Sequence, residues 1–390
     1  MADQLAYVLI NPYTLHKSRT GGILARLMTR TALELVAARM FAPGKELAEE
    51  YAKISASEKD PQDRKIQELI RQYILDNYSP DSKARQRRRV MMLLFRGEDA
   101  VKRLRQVVGH ITHGRGGESI RDTYGDYIVD HKGEVKYFEP AVLAAPNEEE
   151  AAAKLKLWAS YSDKDGGLLE GVVQYPQGTK TEHTLVLIKP DNFQFPSGRP
   201  GNIIDAFSRT GLFIIGVKVH QMSVAQAEEF YGPVRQVLRT RMTDMVGARA
   251  RAALEKEFGF KLPAELEKPL GQQLGGPFGD NQFENIVRFM TGVSPSECDG
   301  QKKANAGTAK CLALVYEGPD AVKKIREVLG PTDPRKAPPG SIRREFGQDI
   351  MVNAAHASDS PENAKREIGI IHVAENNLKQ VVEQSYGKIQ

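Results

Sequence analysis

MMLLFRGEDAVKRLRQVVG, Met91 to Gly109, and LALVYEGPDAVKKIREVLG, Leu312 to Gly330, are one pattern written twice. Each opens on a short apolar run that reads as a strand. Each then turns through an acidic position into a stretch with apolar residues at helical spacing, stopped by glycine. Working outward, YVLINPYT from Tyr7 answers TLVLIKPDN from Thr184, and RTGGILARLMTRTALELVAARMF from Arg19 answers RPGNIIDAFSRTGLFIIGVKVH from Arg199. KIQELIRQYI from Lys65 answers QFENIVRFMT from Gln282, and ESIRDTYGDYI from Glu118 answers GSIRREFGQDI from Gly340. Order and spacing are kept, so the chain is a tandem duplication.

The second copy shows the coarse pattern best. Leu185 to Ile188 reads as a strand, Ile203, Ile204 and Phe207 as a helix face ended near Gly211, and Leu212 to Val219 as a second strand. Ser223 with Gln226 forms a capping box that opens a helix through Phe230. Phe283 to Met290 reads as a helix, Leu312 to Val315 as a strand, Pro319 to Leu329 as a helix, and Ile368 to Val373 as the last strand. That order predicts an α+β protein of two tandem ferredoxin-like (split βαβ) domains, each an antiparallel sheet with helices packed on it. The first spans 1–160 and the second 182–390. Residues 161–181, rich in Gly and polar side chains, read as a linker with one short strand.

Composition excludes several classes. Of 390 residues, 41% are hydrophobic and 27% charged, ordinary for a globular protein. No apolar run approaches the roughly 18 residues of a membrane span. The N-terminus, Met1-Ala2-Asp3-Gln4, is not a secretory signal, and Cys298 and Cys311 read as free thiols, so a cytoplasmic location is expected. The net charge of +5 suits anionic small molecules as well as nucleic acid. Lys83, Arg85, Arg87, Arg88 and Arg89 lack interleaved aromatic residues for base stacking, so nucleic acid is the less favoured partner.

One cluster carries chemistry. In Asn353-Ala354-Ala355-His356-Ala357-Ser358-Asp359-Ser360-Pro361-Glu362, followed by Glu367, a histidine is flanked by groups able to orient it. Upstream, Arg326, Thr332 and Arg343 bracket the loop GPTDPRKAPPG, and two guanidinium forks with a hydroxyl suit a polyphosphate.

On TLVLIKPD, GLFIIGVKV, AEEFY, EGPDAVKKIREVLGPTDPRKAPPGSIRREFG and NAAHASDSPENAKREI, in that order, the second copy resembles nucleoside diphosphate kinase. The resemblance implies ping-pong transfer of a γ-phosphoryl group from a nucleoside triphosphate to a nucleoside diphosphate through a phosphohistidine at His356. Glu367 and Ser358 match the residues that orient that histidine. Lys189, Arg326, Thr332, Arg343, Asn353 and Tyr231 match nucleotide-binding positions. Asp359 matches the residue that reaches Mg2+ through water, the ion lying between the phosphates. The alternative is a catalytically weak nucleotide-binding scaffold or regulator.

Departures from the family pattern are of two kinds. Gln282 stands where an aromatic ring is expected on the nucleobase, with Phe283 reading as core, and insertions at about 233–278 and 294–309 enlarge two connections, the first as a charged amphipathic helix and the second as a loop. In the first copy Asn11 answers Lys189 and Leu143, or a close neighbour, answers His356, while Arg105 and Arg121 answer Arg326 and Arg343. The first copy therefore reads as degenerate, supplying a neighbouring-subunit surface within an intramolecular pseudo-dimer or a homo-oligomer.

Overall fold

The computed structural model describes residues 3–58, 60, 62–81, 86–112 and 117–389. The first copy forms β1 (Asp3–Ile10), β2 (Glu34–Phe41), β3 (Val90–Glu98), β4 (Asp126–Val129), β5 (Val135–Glu139) and β6 (Val142–Ala144). The second forms β7 (Glu182–Ile188), β8 (Phe213–His220), β9 (Cys311–Gly318) and β10 (Ala355–Ala357). The two four-stranded sheets have the same order, β2-β3-β1-β6 and β8-β9-β7-β10, with β4 and β5 pairing apart as a hairpin. Register repeats too: Gln4 faces Gly97 in the first sheet as Glu182 faces Gly318 in the second. This is the α+β, split βαβ architecture read from the repeat.

Identical local chemistry explains the identity of the two turns. Gly97 and Gly318 take φ of 153° and 156°, where a Cβ would run into Leu33 and Leu212. Asp99 and Asp320, at φ of 52° and 53°, then enter the left-handed region that Asp tolerates better than most residues. Helices Ala100–Val108 and Ala321–Leu329 follow, each ending at a glycine of positive φ.

The chain divides into two compact units, residues 1–219 with 312–390, and residues 220–311. Within the first unit the two copies pack through helices Thr20–Thr31 and Arg199–Ser208. A Cβ at Gly21 would collide with the backbone of Gly201 and Asp205, and one at Gly201 with the backbone of Gly21 and Ala25. Because Gly21 answers Gly201 and Ala25 answers Asp205, this is a self-complementary, two-fold contact made inside one chain. Arg39 adds hydrogen bonds to the carbonyls of Ala374 (3.2 Å) and Glu375 (3.0 Å).

The second unit is built on helices Val224–Phe258 and Glu267–Thr291. The capping box is present: Gln226 N donates to Ser223 Oγ at 3.1 Å, and Ser223 N to Gln226 Oε1 at 3.2 Å. Its helix does not stop at Phe230, because nothing from Arg235 onward breaks it until Gly259. The inserted stretch is a pair of helices in which Gly271, Gly275 and Gly279 lie against Thr243 and Arg239. The second insertion holds two short helical turns, Pro295–Glu297 and Lys302–Ala304, tied down by Lys303 to Glu228 (2.7 Å).

Two readings are corrected. Ile368 to Val373 is not a strand: helix Pro361–Ile371 covers most of it, capped by Ser360 with Pro361 at its first position. A short apolar run cannot by itself distinguish strand from buried helix face. The last strand is β10, three residues around His356. The linker likewise has no strand among the described residues, only a helical turn at Ser162–Asp165 and a bridge from Gly166 to Phe41.

Arg87, Arg88 and Arg89 are spent internally, on Asp165, on the Asp76 carbonyl and on the Ile214 carbonyl. Lys83 and Arg85 lie outside the described residues. No helix among the described residues is long and apolar enough to cross a membrane.

Candidate active site

His356 sits at the centre of β10, opposite Leu187 of β7. The chain reaches it through Ala354, at φ of 71°, whose carbonyl accepts from Lys189 N (3.0 Å) and Asn192 Nδ2 (2.8 Å). Ala141, at φ of 59°, makes the same bend in the first copy, so the bend belongs to the fold and not to the chemistry.

Helix Pro361–Ile371 returns along β10 and brings Glu367 to the imidazole. His356 Nε2 and Glu367 Oε2 are 3.0 Å apart, and Ser358 Oγ donates to the same Oε2 at 2.6 Å. Glu367 and Ser358 are buried, while the His356 side chain keeps 22% of its surface exposed. A carboxylate at Nε2 selects the tautomer protonated there, which places the ring lone pair on Nδ1.

A second network adjoins the first. Arg343 donates to Gly330 O (3.0 Å) and Ala355 O (3.1 Å), fastening the GPTDPRKAPPG loop to the histidine strand. Asn353 donates to Thr332 O (3.1 Å) and Ile350 O (2.7 Å), and accepts from Lys189 Nζ at 2.7 Å. Lys189 also donates to Met351 O (3.0 Å). Burial, reinforced by the Arg343 guanidinium, pushes the Lys189 ammonium down to about 7. Lys189, Asn353 and Arg343 are thus tied to one another and to the backbone of the strand that carries His356.

Arg326 and Asp359 line an open groove of about 540 Å3 together with Lys323 and Pro331. Asp359 is exposed, its Oδ1 accepting from Asn363 Nδ2 at 2.6 Å. Among the described residues no group of three or more His, Cys, Asp or Glu side chains forms a metal cage. One exposed carboxylate on a groove with an arginine instead fits Mg2+, which keeps much of its water and is usually held by one or two carboxylates plus phosphates.

Tyr231, Gln282 and Phe283 belong to the 220–311 unit. Tyr231 is buried with its ring centroid 4.9 Å from that of Phe230. Phe283 is core, as its helix position predicts, with the Arg235 guanidinium 5.4 Å from its ring centre. Sequence reasoning missed Asp191, two positions after Lys189, and Arg199, whose guanidinium is 3.5 Å from the Asp191 carboxylate. The signal was available: Asp191 lies inside the quoted run TLVLIKPD.

The same positions of the first copy have other contents. Leu143 stands opposite Leu9 as His356 stands opposite Leu187. Counting along each chain, Ala145 and Lys154 replace Ser358 and Glu367, and Lys154 is buried against Glu150 at 3.0 Å. Asn11, in the place of Lys189, donates to Glu139 Oε1 (3.2 Å), and Tyr73 donates to Glu139 Oε2 (2.7 Å). Arg121 repeats the Arg343 pattern, donating to Gly109 O (2.8 Å) and Val142 O (3.2 Å). The cavity between Arg105, Arg121, Leu143 and Lys154 measures about 20 Å3.

The family profile described as nucleoside diphosphate kinase matches residues 182–240 and 301–376. A nucleoside diphosphate kinase of Staphylothermus marinus is 32% identical over 191 residues, covering 49% of this chain and 92% of that protein. The chain belongs to the nucleoside diphosphate kinase family. The family's members are phosphotransferases, and the nucleoside diphosphate kinase of Aquifex aeolicus is also 32% identical, over 193 residues and 93% of its length. A solved structure of an Aquifex aeolicus nucleoside diphosphate kinase, 30% identical, covers 51% of this chain and 99% of its own with a TM-score of 0.30. The profile lies wholly within the second copy and skips residues 241–300, which fall inside the inserted unit.

Proposed function

We propose that the second copy is a nucleoside diphosphate kinase working by ping-pong transfer through His356. The observation that carries this reading is the pairing of His356 Nε2 with Glu367, itself held by Ser358. With the proton kept on Nε2, the Nδ1 lone pair attacks the γ-phosphorus. A P–N bond forms, the P–O bond to the β-phosphate breaks, and the nucleoside diphosphate leaves with that electron pair. A β-phosphate oxygen of a second nucleoside diphosphate reverses the step. Lys189, Arg326 and Arg343 supply positive charge where the transferred group spreads its own, with Asn353 and Thr332 as hydrogen-bonding partners. Asp359 is the residue that would hold Mg2+, whose chemistry is to neutralise the phosphates. Tyr231 keeps its place among the nucleotide-binding residues as part of this reading.

Residues 1–160 form, in this reading, a built-in partner domain for 182–390, joined by 161–181. The two-fold contact of Gly21 and Gly201 supports it, as does the Leu143, Ala145, Lys154 replacement of the nucleophile and its support. Cys298 and Cys311 are not joined in a disulfide, which accords with a cytoplasmic location. The test is intact-mass analysis after incubation with ATP and Mg2+: one acid-labile phosphate on the full chain, absent in His356→Ala, supports the reading. An unlabelled wild-type chain overturns it.

A further inference from the structure

Resting on the reading of the Arg326 groove as a phosphate site, we propose that the first copy keeps its own groove as a second, metal-independent polyphosphate site centred on Lys102 and Arg105. This groove measures about 380 Å3, within the range of small-ligand sites, and it answers the Arg326 groove position by position. Lys102 stands for Lys323, Arg105 for Arg326 and Gly109 for Gly330. The walls are built alike. Gln4 Oε1 accepts from Val101 N at 3.4 Å, as Glu182 Oε2 accepts from Val322 N at 3.3 Å. Asn147 Oδ1 accepts from Glu150 N at 2.9 Å, as Ser360 Oγ accepts from Asn363 N at 3.1 Å.

Charge is what differs. The carboxylates of Glu182, Asp320, Glu327 and Asp359 border the second groove against the cations Lys323 and Arg326. In the first groove Gln4 and Gln106 replace Glu182 and Glu327, and Pro146 replaces Asp359, so only Asp99 and Glu148 oppose Lys102 and Arg105. Glu148 is itself engaged, accepting from Gln4 Nε2 at 3.0 Å. His110, in the place of Pro331, adds a ring nitrogen that can donate to a phosphate oxygen. The second groove needs a cation to admit phosphates. The first has dropped the excess negative charge together with the carboxylate that would reach Mg2+.

Arg105 is placed for this. Its Nη1 donates to Pro146 O at 2.8 Å, and one such bond fixes a guanidinium without exhausting its five donors. Arg105 and Pro146 also border the cavity beside Leu143, whose 20 Å3 has room for about one water and none for a phosphate chain. A ligand therefore stops in the groove and meets no nucleophile. Among the described residues that line the groove there is no Phe, Tyr or Trp, so recognition rests on the phosphate chain and not on a base.

The test is calorimetric titration of the full chain with inorganic triphosphate, in EDTA and again with Mg2+. One equivalent should bind in EDTA, and Mg2+, which neutralises the ligand, should weaken that binding. Lys102→Glu, at an exposed position, and Arg105→Gln should each weaken it roughly tenfold or more while phosphorylation of His356 by ATP and Mg2+ is unchanged. Arg326→Ala should leave it as it was. ATP in EDTA should bind with an affinity close to that of inorganic triphosphate. No binding in EDTA, binding that survives both Lys102→Glu and Arg105→Gln, binding lost in Arg326→Ala, or binding of ATP without inorganic triphosphate overturns the proposal. A wild-type chain that binds triphosphate in EDTA yet forms no phosphohistidine would instead remove the kinase reading and leave this site standing.

Discussion

Leu143 and His356 occupy the same seat in two copies of one sheet, each opposite the second-last residue of the strand that opens its copy, Leu9 and Leu187. In the proposed reading the two copies differ in more than that residue, because the imidazole would act with Ser358 and Glu367 behind it and the first copy has Ala145 and Lys154 there.

Leu143→His should therefore leave the first copy unphosphorylated. The new imidazole would meet Ala145 and the ammonium of Lys154, and the cavity there is about 20 Å3. Radiolabelling a chain that carries both Leu143→His and His356→Ala with γ-labelled ATP checks this, and any stable label on the introduced imidazole contradicts it.

Ser358→Ala should slow phosphorylation of His356 while leaving the fold intact. The hydroxyl is one hydrogen bond to a buried carboxylate, worth about 1.5 kcal/mol or more, so the rate of the first half-reaction should fall roughly tenfold or more. Rapid-quench measurement of phosphoenzyme formation reads the effect, and thermal melting shows whether stability moved.

Arg326→Ala and Arg343→Ala should separate. Arg326 is exposed on the groove, so its loss should reduce turnover by about 2 to 4 kcal/mol of transition-state stabilisation with little change in Tm. Arg343 also fastens Gly330 to Ala355, so its loss should lower urea stability as well, by about 1 kcal/mol for each lost backbone hydrogen bond. Equal Tm values for the two variants would remove this distinction.

Gly21→Ala should destabilise the full chain, since the added methyl meets the Gly201 and Asp205 backbone and not a movable side chain. A loss of about 1 to 3 kcal/mol in urea unfolding is expected. Gly201→Ala should cost a similar amount, because the contact is two-fold.

Nucleoside diphosphate binding should take up a proton at pH 8. The empty-site lysine, held down to about 7 by burial and Arg343, is largely neutral there, and a bound polyphosphate raises its affinity for a proton. Affinity should accordingly fall as pH rises above 7. Calorimetry in two buffers of different ionisation enthalpy measures the uptake, which should vanish in Lys189→Met.

The duplication, the α+β class and the residues around His356 are legible from the sequence alone, because they rest on local signals: repeated apolar spacing, glycine stops, a capping box and a short polar motif. Ile368 to Val373 reads as a strand in sequence because a six-residue apolar run fits either element, and only packing against β7 makes it a helix end. That packing is what returns Glu367 to the imidazole 11 positions earlier in the chain. Asp191 lies inside the run TLVLIKPD, but nothing in that run says that its carboxylate will be buried. Only the fold buries it 3.5 Å from Arg199, because burial and charge placement are properties of the assembled interior and not of any segment of the chain.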